Sequence, residues 1–260
     1  MPITNTYSQP TVPTTPSVAT TGETPAHTFD ASRYLGLEPQ QWGTDLAGIE
    51  SSVAPASDGR RTMALTFDAC GGPSGSNIDT HLIDTLVEYQ VPATVFLNER
   101  WVRANPGATE QLVAHPLLRI ENHGTLHVPL SVSGRAAYGI AGTVDAEAVI
   151  EEIESNRQTL RSVGVDSRWF RAGTAHYDDV AVSIARDLGV RLAGFATNAD
   201  FGATATSDAV ARQILAAPDG GIVLAHMNQP SSGTAAGLRR ALDALTGQGV
   251  QFVHLDDDTS

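Results

Sequence analysis

Two histidines stand four residues apart, as His123 and His127. Imidazole is a good ligand for Zn²⁺ and other borderline divalent ions. In a helical turn this spacing would place both rings on one face, close enough to bind the same ion. The pair therefore predicts a metal site, and the alternative interpretation is a histidine pair that binds no metal.

An acidic residue, Asp68, follows the apolar segment 62–67, which has strand character, and the glycine pair Gly71 and Gly72 comes shortly after it. In α/β folds, catalytic side chains converge at the C-terminal ends of the strands. The glycines allow a sharp turn and the close approach of a substrate. We therefore expect Asp68 to lie in a functional cleft, the alternative being an aspartate that hydrogen-bonds within a turn.

Arg171 and His226 also follow apolar segments of strand character. A partly buried arginine needs a carboxylate, for which Asp68 is the natural partner and Asp200 the alternative. An apolar strand that ends in His226 can present an imidazole to a cleft, where it can donate a proton near neutral pH. The alternatives are an exposed rim arginine and a hydrogen-bonded core histidine.

Apolar strand-like segments alternate with amphipathic helical segments from residue 62 onward. The predicted strands are 62–67, 93–97, 117–121, 169–171, 192–196, 222–226 and 251–255, and the predicted helices are 78–89, 108–114, 146–163, 179–188, 208–216 and 235–246. This alternation implies parallel strands joined by right-handed crossovers. About seven such units favour an α/β fold, a distorted parallel (β/α) barrel, over a short open sheet.

In such a barrel the C-terminal strand ends should face one shared cleft. The polar residues at these ends are Asp68, Asn98, Glu99, Asn122, His123, Arg171, Asn198, Asp200 and His226. We therefore expect these groups, drawn from six strands, to form one site.

The composition excludes several classes of function. The 260 residues carry a formal net charge of -13, which argues against nucleic acid or an anionic membrane as a partner. There is no lysine, so Schiff-base chemistry and a lysine-dependent P-loop are excluded. The single cysteine, Cys70, cannot form a disulfide within the chain. No apolar run is long enough to span a bilayer.

Residues 1–29 are rich in Thr, Pro and Ser, which predicts a disordered leader or linker before a folded domain over 30–260. Such tracts often tether domains outside the cytoplasm, so we expect an extracellular, periplasmic or cell-wall-associated protein, although no signal-peptide pattern is present. The alternative is an unstructured tail without consequence.

Five short motifs, in order along residues 62–255, resemble those of the polysaccharide deacetylase family. These proteins are the family 4 carbohydrate esterases, which share the chitooligosaccharide-deacetylase homology domain. The motifs are Thr66-Phe67-Asp68, the segment 123–127, Arg171 with its following loop, Asp200 within 198–202, and Leu224-Ala225-His226. Each motif is weak alone, and their common order on an alternating β/α chain makes the resemblance specific.

The resemblance implies a metal-dependent hydrolase that removes N-acetyl or O-acetyl groups from a cell-wall or related polysaccharide or oligosaccharide. It implies that Asp68 is the general base oriented by Arg171, and that His226 is the general acid tuned by Asp200. It also implies that His123 and His127 bind the metal, with zinc as the expected ion. Leu224 would line the acetyl pocket, and Tyr177, with Trp101 and Tyr138, is a candidate for contacts with sugar. The glycan and the oligomeric state stay open.

One position departs from the family pattern. The family usually has a second aspartate directly after the base, where it completes an Asp-His-His metal triad, but this chain has Ala69. Asp68 itself can serve as the third ligand, or Cys70, on the same side of an extended chain, can replace it. Oxygens of Asn122, Asp178 or Asp179 are further candidates. Cys70 can equally be a small buried apolar residue.

Two other functions are consistent with this departure. One is the hydrolysis of C–N bonds in small amides or imides on the same fold. The other is a catalytically impaired glycan-binding protein that kept the cleft and lost the complete metal site.

Overall fold

The computed structural model describes residues 29–256, so the predicted leader at 1–29 lies outside the described residues except for Phe29. The strands are β1 (Trp42–Gly43), β2 (Ile49–Glu50), β3 (Thr62–Ala69), β4 (Ala93–Leu97), β5 (Leu118–Asn122), β6 (Trp169–Phe170), β7 (Tyr177–Asp178), β8 (Arg191–Ala193), β9 (Thr197–Asn198), β10 (Gly221–His226) and β11 (Gln251–Phe252). The α-helices are α1 (Thr80–Glu88), α2 (Glu99–Ala104), α3 (Pro106–Ala114), α4 (Ala146–Ser162), α5 (Asp179–Asp187), α6 (Ser207–Ala216) and α7 (Thr234–Thr246). A short 3₁₀ helix spans Ala31–Tyr34.

The main sheet has the strand order β2-β8-β6-β5-β4-β3-β10-β9, with β11 beside the start of β3. Every pairing in this sheet is parallel. The segment after β2 reaches β10, because the Ile222 N–H donates to the Ser51 carbonyl at 3.0 Å and the Val53 N–H donates to the Gly220 carbonyl at 2.8 Å. The sheet therefore curls round, which confirms the predicted α/β fold with a distorted parallel barrel.

Strand β3 lies at the centre of this sheet and is buried along its whole length. Alternate side chains point to opposite faces. Met63, Leu65 and Phe67 pack in the larger apolar cluster, which includes residues of α1 and α7. Ala64 belongs to a second, smaller cluster on the other face. Asp68 shares the face of Ala64 and lies at the C-terminal end of the strand, where the parallel strands open into a cleft.

Side-chain caps fix where several helices begin. Asp79, Asp145 and Asp178 each accept a hydrogen bond from the backbone N–H three residues later, and Thr206 does the same for α6. Each cap satisfies a donor that the first helical turn leaves without a partner. Among the described residues, no helix combines the length and apolar character that crossing a membrane requires.

Candidate active site and metal centre

A buried ion pair joins Asp68 to Arg171. A guanidinium nitrogen of Arg171 lies 2.9 Å from Asp68 Oδ1, and it also donates to Thr66 Oγ1 at 2.9 Å. The backbone carbonyls of Ala193 and Gly194 accept the remaining hydrogen bonds of the guanidinium, at 3.2 and 3.0 Å. Arg171 is fully buried, where partial burial was expected, and its partner is Asp68 instead of the alternative, Asp200.

This ion pair determines the charge of Asp68. Burial raises the pKa of the carboxyl, but the positive charge of Arg171, with smaller effects from His123 and His226, brings the pKa below its usual value. Asp68 is therefore an ionised carboxylate near neutral pH. Its second oxygen, Oδ2, lies 3.7 Å from His123 Nε2.

His123 and His127 lie in an irregular loop after β5, and not in the helical turn that their spacing suggested. The backbone turns at Gly124, with φ of 75°, and again at His127, with φ of 62°, both outside the helical region. The two rings nevertheless meet, with centroids 4.9 Å apart and planes at 82°. The proximity was predicted correctly and the backbone that produces it was not.

A hydrogen bond orients the first ring of this pair, and the second ring has a buried nitrogen without a partner among the described residues. His123 Nδ1 donates to the Arg171 carbonyl at 2.8 Å, which directs Nε2 of the same ring toward the cavity. His127 Nε2 is buried and has no hydrogen-bond partner among the described residues. A buried polar atom without a partner is uncommon in folded proteins and often marks a ligand site.

Cys70 lies beside these two imidazoles. Its Sγ is 3.9 Å from His123 Nε2, and one potential ligand atom each from Cys70, His123 and His127 lie within 4.8 Å of one another. Burial raises the pKa of the thiol, but the neighbouring imidazoles, His123 foremost, bring the pKa well below its usual value. Ala69 instead packs with Leu97 and other residues of the larger apolar cluster.

The turn after β3 directs Cys70 into the cavity. Gly71 and Gly72 have φ of 69° and 84°, a conformation that favours glycine. A Cβ on Gly71 would lie 2.6 Å from the Trp101 backbone nitrogen. The turn therefore requires glycine at position 71 for both conformation and space.

His226 forms the opposite side of the site with Asp200. His226 Nδ1 donates to Asp200 Oδ1 at 2.8 Å, and the backbone N–H of His226 donates to Asp200 Oδ2 at 2.7 Å. The Thr234 hydroxyl also donates to Oδ2, at 2.9 Å. Burial lowers the pKa of His226, but the hydrogen bond to Asp200, with further effects from Cys70, raises it well above the usual value.

These groups share one cavity of about 680 Å³. The site groups in its lining are Asp68, Cys70, His127, Leu224 and His226. Exposed apolar side chains stand at its rim, since Tyr138 is 82% exposed and Phe201 is 54% exposed. The arrangement can bind a substrate between an ionised carboxylate and an imidazole that holds its proton.

Several residues expected in the cleft have structural roles instead. Tyr177 is fully buried and its hydroxyl accepts a hydrogen bond from the Ala172 N–H at 2.8 Å, so the expectation that it contacts substrate is wrong. It supports the loop after Arg171. Trp101 is also fully buried, and its indole N–H donates a hydrogen bond to the Asn77 carbonyl.

Two of the three strand-end amides, and the two acids considered as extra ligands, also have backbone partners, whereas the third amide, Asn198, lines the cavity. Asn98 donates to the carbonyls of His123 and Gly124, and Asn122 donates to the Ile153 carbonyl. Asp178 caps α5 and also accepts from the Val132 N–H. Asp179 accepts from the backbone N–H groups of residues 40 and 41. These four side chains hold loops in place and are absent from the cavity lining.

Sequence reasoning missed Glu152, a buried acid on α4. Its carboxylate accepts hydrogen bonds from the backbone N–H groups of Thr125, Leu126 and His127. Glu152 lies on the buried face of the helix with Val149, Ile153 and Asn156, so a charged residue interrupts an apolar stripe at helical spacing. That interruption is the sequence signal for a buried acid with a structural partner.

The sequence profile of the polysaccharide deacetylase family matches residues 56–193. The peptidoglycan-N-acetylglucosamine deacetylase PgdA of Listeria monocytogenes is 26% identical over 234 residues, which are 85% of this chain and 46% of that protein. The bifunctional xylanase/deacetylase of Pseudobutyrivibrio xylanivorans is 24% identical over 200 residues, 76% of this chain and 30% of that protein. The chain thus spans less than half the length of these curated relatives.

Solved structures with the same fold have lower sequence identity. A variant of BA3943, a CE4 family pseudoenzyme from Bacillus anthracis, has a TM-score of 0.66 at 20% identity, covering 83% of this chain and 72% of that one. PdaA of Bacillus subtilis, a family 4 carbohydrate esterase, has a TM-score of 0.63 at 19% identity, covering 80% of this chain and 84% of that one.

Proposed function

Because the chain belongs to the polysaccharide deacetylase family, we propose that it hydrolyses acetyl groups on an acetylated cell-wall polysaccharide or oligosaccharide. One observation carries the proposal. Asp68, held by Arg171, and His226, held by Asp200, line the same cavity and have pKa values displaced in opposite directions. Pairs of titratable groups displaced in this way are typical of general acid–base catalysis.

The donor atoms fit a divalent ion at His123 and His127. The unpartnered His127 Nε2 and the oriented His123 Nε2 are suitable ligand atoms, and zinc is the ion that we expect there. Asp68 Oδ2, 3.7 Å from His123 Nε2, is a candidate additional ligand. When bound, the ion would act as a Lewis acid toward the acetyl carbonyl.

The protein groups supply the proton transfers. Asp68, ionised and held by Arg171, accepts a proton from the water that attacks the acetyl carbon. His226 donates a proton to the departing amine, and the Asp200 carboxylate stabilises the protonated ring before this transfer. Leu224 lines the cavity beside His226 and offers an apolar surface for the acetyl methyl group.

The proposed substrate is an acetylated aminosugar polymer. The relative PgdA supports this choice, since it is a peptidoglycan-N-acetylglucosamine deacetylase. We accordingly propose that the chain acts outside the cytoplasm, at the cell wall. The exposed rings of Tyr138 and Phe201 at the rim are suited to contact with sugar rings.

The test is acetate release by the metal-loaded protein from peptidoglycan fragments, chitooligosaccharides and acetylated xylan, compared with a panel of small amides and imides. We expect turnover on an acetylated glycan, and a decrease in kcat of at least about 100-fold in His226→Ala and Asp68→Asn. His81→Ala is the matched control, because His81 is exposed on α1 and lies outside the cavity lining. Turnover confined to the small amides would replace the proposal with its C–N hydrolase alternative.

Ala69 favours a second candidate, a glycan-binding protein without activity. This residue is fully buried and has no side-chain ligand to offer, so the usual aspartate of the family is lost. Glycan binding that persists in the fully metal-loaded protein, without acetate release from any substrate, would support this candidate.

A further inference from the structure

We infer that Cys70 is the third protein ligand of the metal centre, so that a thiolate and two imidazoles replace the carboxylate and two imidazoles usual in the family. The inference deepens the proposed function and rests on it only in assuming that this cavity holds a divalent ion. The ion it specifies is Zn²⁺, for which sulfur and nitrogen are the preferred ligands.

The separations of the three donor atoms are close to those of a tetrahedral zinc site. Zn–S and Zn–N bonds of about 2.3 and 2.05 Å place the ligand atoms about 3.3–3.6 Å from one another. Cys70 Sγ is 3.9 Å from His123 Nε2, and the cluster with His127 spans no more than 4.8 Å. Binding of an ion would have to draw the three donors together by no more than about 1.5 Å.

The two histidines point to a ligand without reference to the cysteine. His123 Nδ1 donates to the Arg171 carbonyl, the kind of contact that directs the other ring nitrogen of a metal-binding histidine toward its ion. His127 Nε2 is buried without a hydrogen-bond partner among the described residues, and an ion would satisfy it. This unpartnered nitrogen points to a ligand independently of the cysteine.

The surroundings of Cys70 differ from those of a structural cysteine. Cys70 is partly exposed, lines the cavity, and has its sulfur in a cluster with ring nitrogens of His123 and His127. Its neighbour Ala69 takes the apolar position instead, in the larger apolar cluster. A buried cysteine that only fills space packs among apolar groups, so these surroundings favour the ligand interpretation.

The exchange preserves the charge of the site and changes its preference for metals. Thiolate and carboxylate each contribute one negative charge, so the ion keeps three protein ligands and a position for water or substrate. Sulfur is a softer donor than a carboxylate oxygen. The chain should therefore select Zn²⁺ over Mg²⁺ and Mn²⁺ more strongly than an Asp-His-His site does.

Co²⁺ substitution gives a direct test, because Cys70 is the only cysteine in the chain. The full chain, stripped of metal with a chelator, is titrated with Co²⁺ and followed by absorption. We expect one equivalent to produce a thiolate-to-Co²⁺ charge-transfer band in the near ultraviolet. Cys70→Ser and Cys70→Ala should lack this band, whereas Cys70→Asp should bind Co²⁺ without it.

Zinc affinity, measured by competition with a chromophoric chelator, gives the second readout. Cys70→Ala and His127→Ala should each weaken Zn²⁺ binding by at least about 100-fold, and Cys70→Asp should restore part of it. Ser74→Ala, a change elsewhere in the cavity lining, is the control and should keep the wild-type affinity. Circular dichroism of every variant checks that the fold is retained.

The inference fails if the wild-type protein binds no metal, if its Co²⁺ complex lacks the band, or if Cys70→Ala keeps the wild-type affinity for Zn²⁺. The proposed function fails separately. A protein that shows the thiolate band and releases no acetate from any glycan would retain the metal site and lose the deacetylase assignment. Acetate release from a glycan, together with an unchanged Zn²⁺ affinity in Cys70→Ala, would support the deacetylase assignment and overturn Cys70 as a metal ligand.

Discussion

Asp68 and His226 are neighbours on adjacent parallel strands, paired in register between β3 and β10. Their separate partners give them opposite protonation states. The guanidinium of Arg171 keeps Asp68 ionised, whereas the carboxylate of Asp200 keeps a proton on His226. Two titratable groups side by side can therefore serve as base and acid at the same pH.

The role of His226 as general acid can be tested by changing its partner, Asp200. It is fully buried and lies outside the cavity lining, so it acts only by positioning His226. In Asp200→Asn we expect kcat to fall by at least about 100-fold with little change in KM, because the charge that supports the protonated imidazole is lost. Steady-state kinetics of acetate release from the acetylated glycan measure both constants.

The control for this change is Asp208→Asn, an exposed aspartate on α6 that forms a surface ion pair with Arg240. It should leave both constants unchanged. An increase in KM without a loss of kcat in Asp200→Asn would assign Asp200 to substrate binding instead.

Asp79 provides a prediction about stability and pH. Its Oδ1 caps α1 through the Leu82 N–H, but its Oδ2 is buried without a hydrogen-bond partner among the described residues. Burial raises the pKa of Asp79 above its ordinary value of 3.8. For a group whose pKa is raised in the folded state, its contribution to stability is complete below the ordinary value and is lost as the pH rises through the raised value.

Asp79→Asn keeps an oxygen for the cap and cannot ionise. Its free energy of unfolding should therefore increase relative to that of the wild-type protein as the pH rises from about 3.5 to neutral. Urea unfolding at several pH values measures the difference, with Asp84→Asn, exposed on the same helix, as the control. If the free energies of unfolding of Asp79→Asn and the wild-type protein differ by the same amount at every pH, burial does not raise the pKa of Asp79.

At the scale of elements, the site depends on a contact between helix α4 and the loop that carries His127. Three consecutive backbone N–H groups of this loop, residues 125–127, donate to the Glu152 carboxylate. Burial raises the pKa of Glu152 to about 7 despite these hydrogen bonds. Helix α4 therefore provides a buried carboxylate that fixes the conformation of the loop. The sequence of the loop does not specify that conformation by itself.

Glu152→Ala should weaken metal binding by about 10–100-fold, because the loop no longer holds His127 in position. Zinc competition measures the affinity, and circular dichroism checks the fold. Glu151→Ala, the exposed neighbour on α4, is the matched control and should bind zinc as the wild-type protein does. Equal affinities in the two variants would show that the loop holds its shape without Glu152.

The regular elements were predictable because their signals are local. Apolar segments such as 62–67 and 222–226 became parallel strands of the main sheet, and their ends place Asp68 and His226 in one cavity as the alternating pattern implied, with Arg171 buried beside Asp68. The pairing of Arg171 with Asp68 followed from the cost of burying a lone charge.

The irregular segments were not predictable from local signals. Residues 123–127 are an irregular loop because Glu152, distant in sequence, supplies the acceptor for their N–H groups. Asn98, read as a cleft residue, begins helix α2 and holds the carbonyl groups of the same loop. Tyr177, read as a sugar contact, faces inward onto Ala172. In each case a tertiary hydrogen bond decided the conformation, and spacing along the chain does not reveal such a partner.

At the scale of the whole molecule, the proposed metal centre joins separate parts of the barrel. Cys70 follows β3, whereas His123 and His127 follow β5, and β4 lies between these two strands in the sheet. Cys70 and His123 are 53 residues apart in sequence, so the ligands come together only in the folded chain. An ion bound by all three should therefore bind the folded state far more tightly than the unfolded state.

The last prediction follows from this linkage. A ligand that binds only the folded state raises the free energy of unfolding by RT ln(1 + [L]/Kd), which is about 2.7 kcal/mol when free Zn²⁺ is 100 times Kd. Urea unfolding with buffered Zn²⁺ and with a chelator should differ by about this amount, with the slope against urea concentration unchanged. The His123→Ala/His127→Ala variant should show no such difference. Equal stabilities of the wild-type protein with and without zinc, at a concentration that saturates binding, would mean that the ion binds the unfolded chain as well and is not held by the assembled barrel.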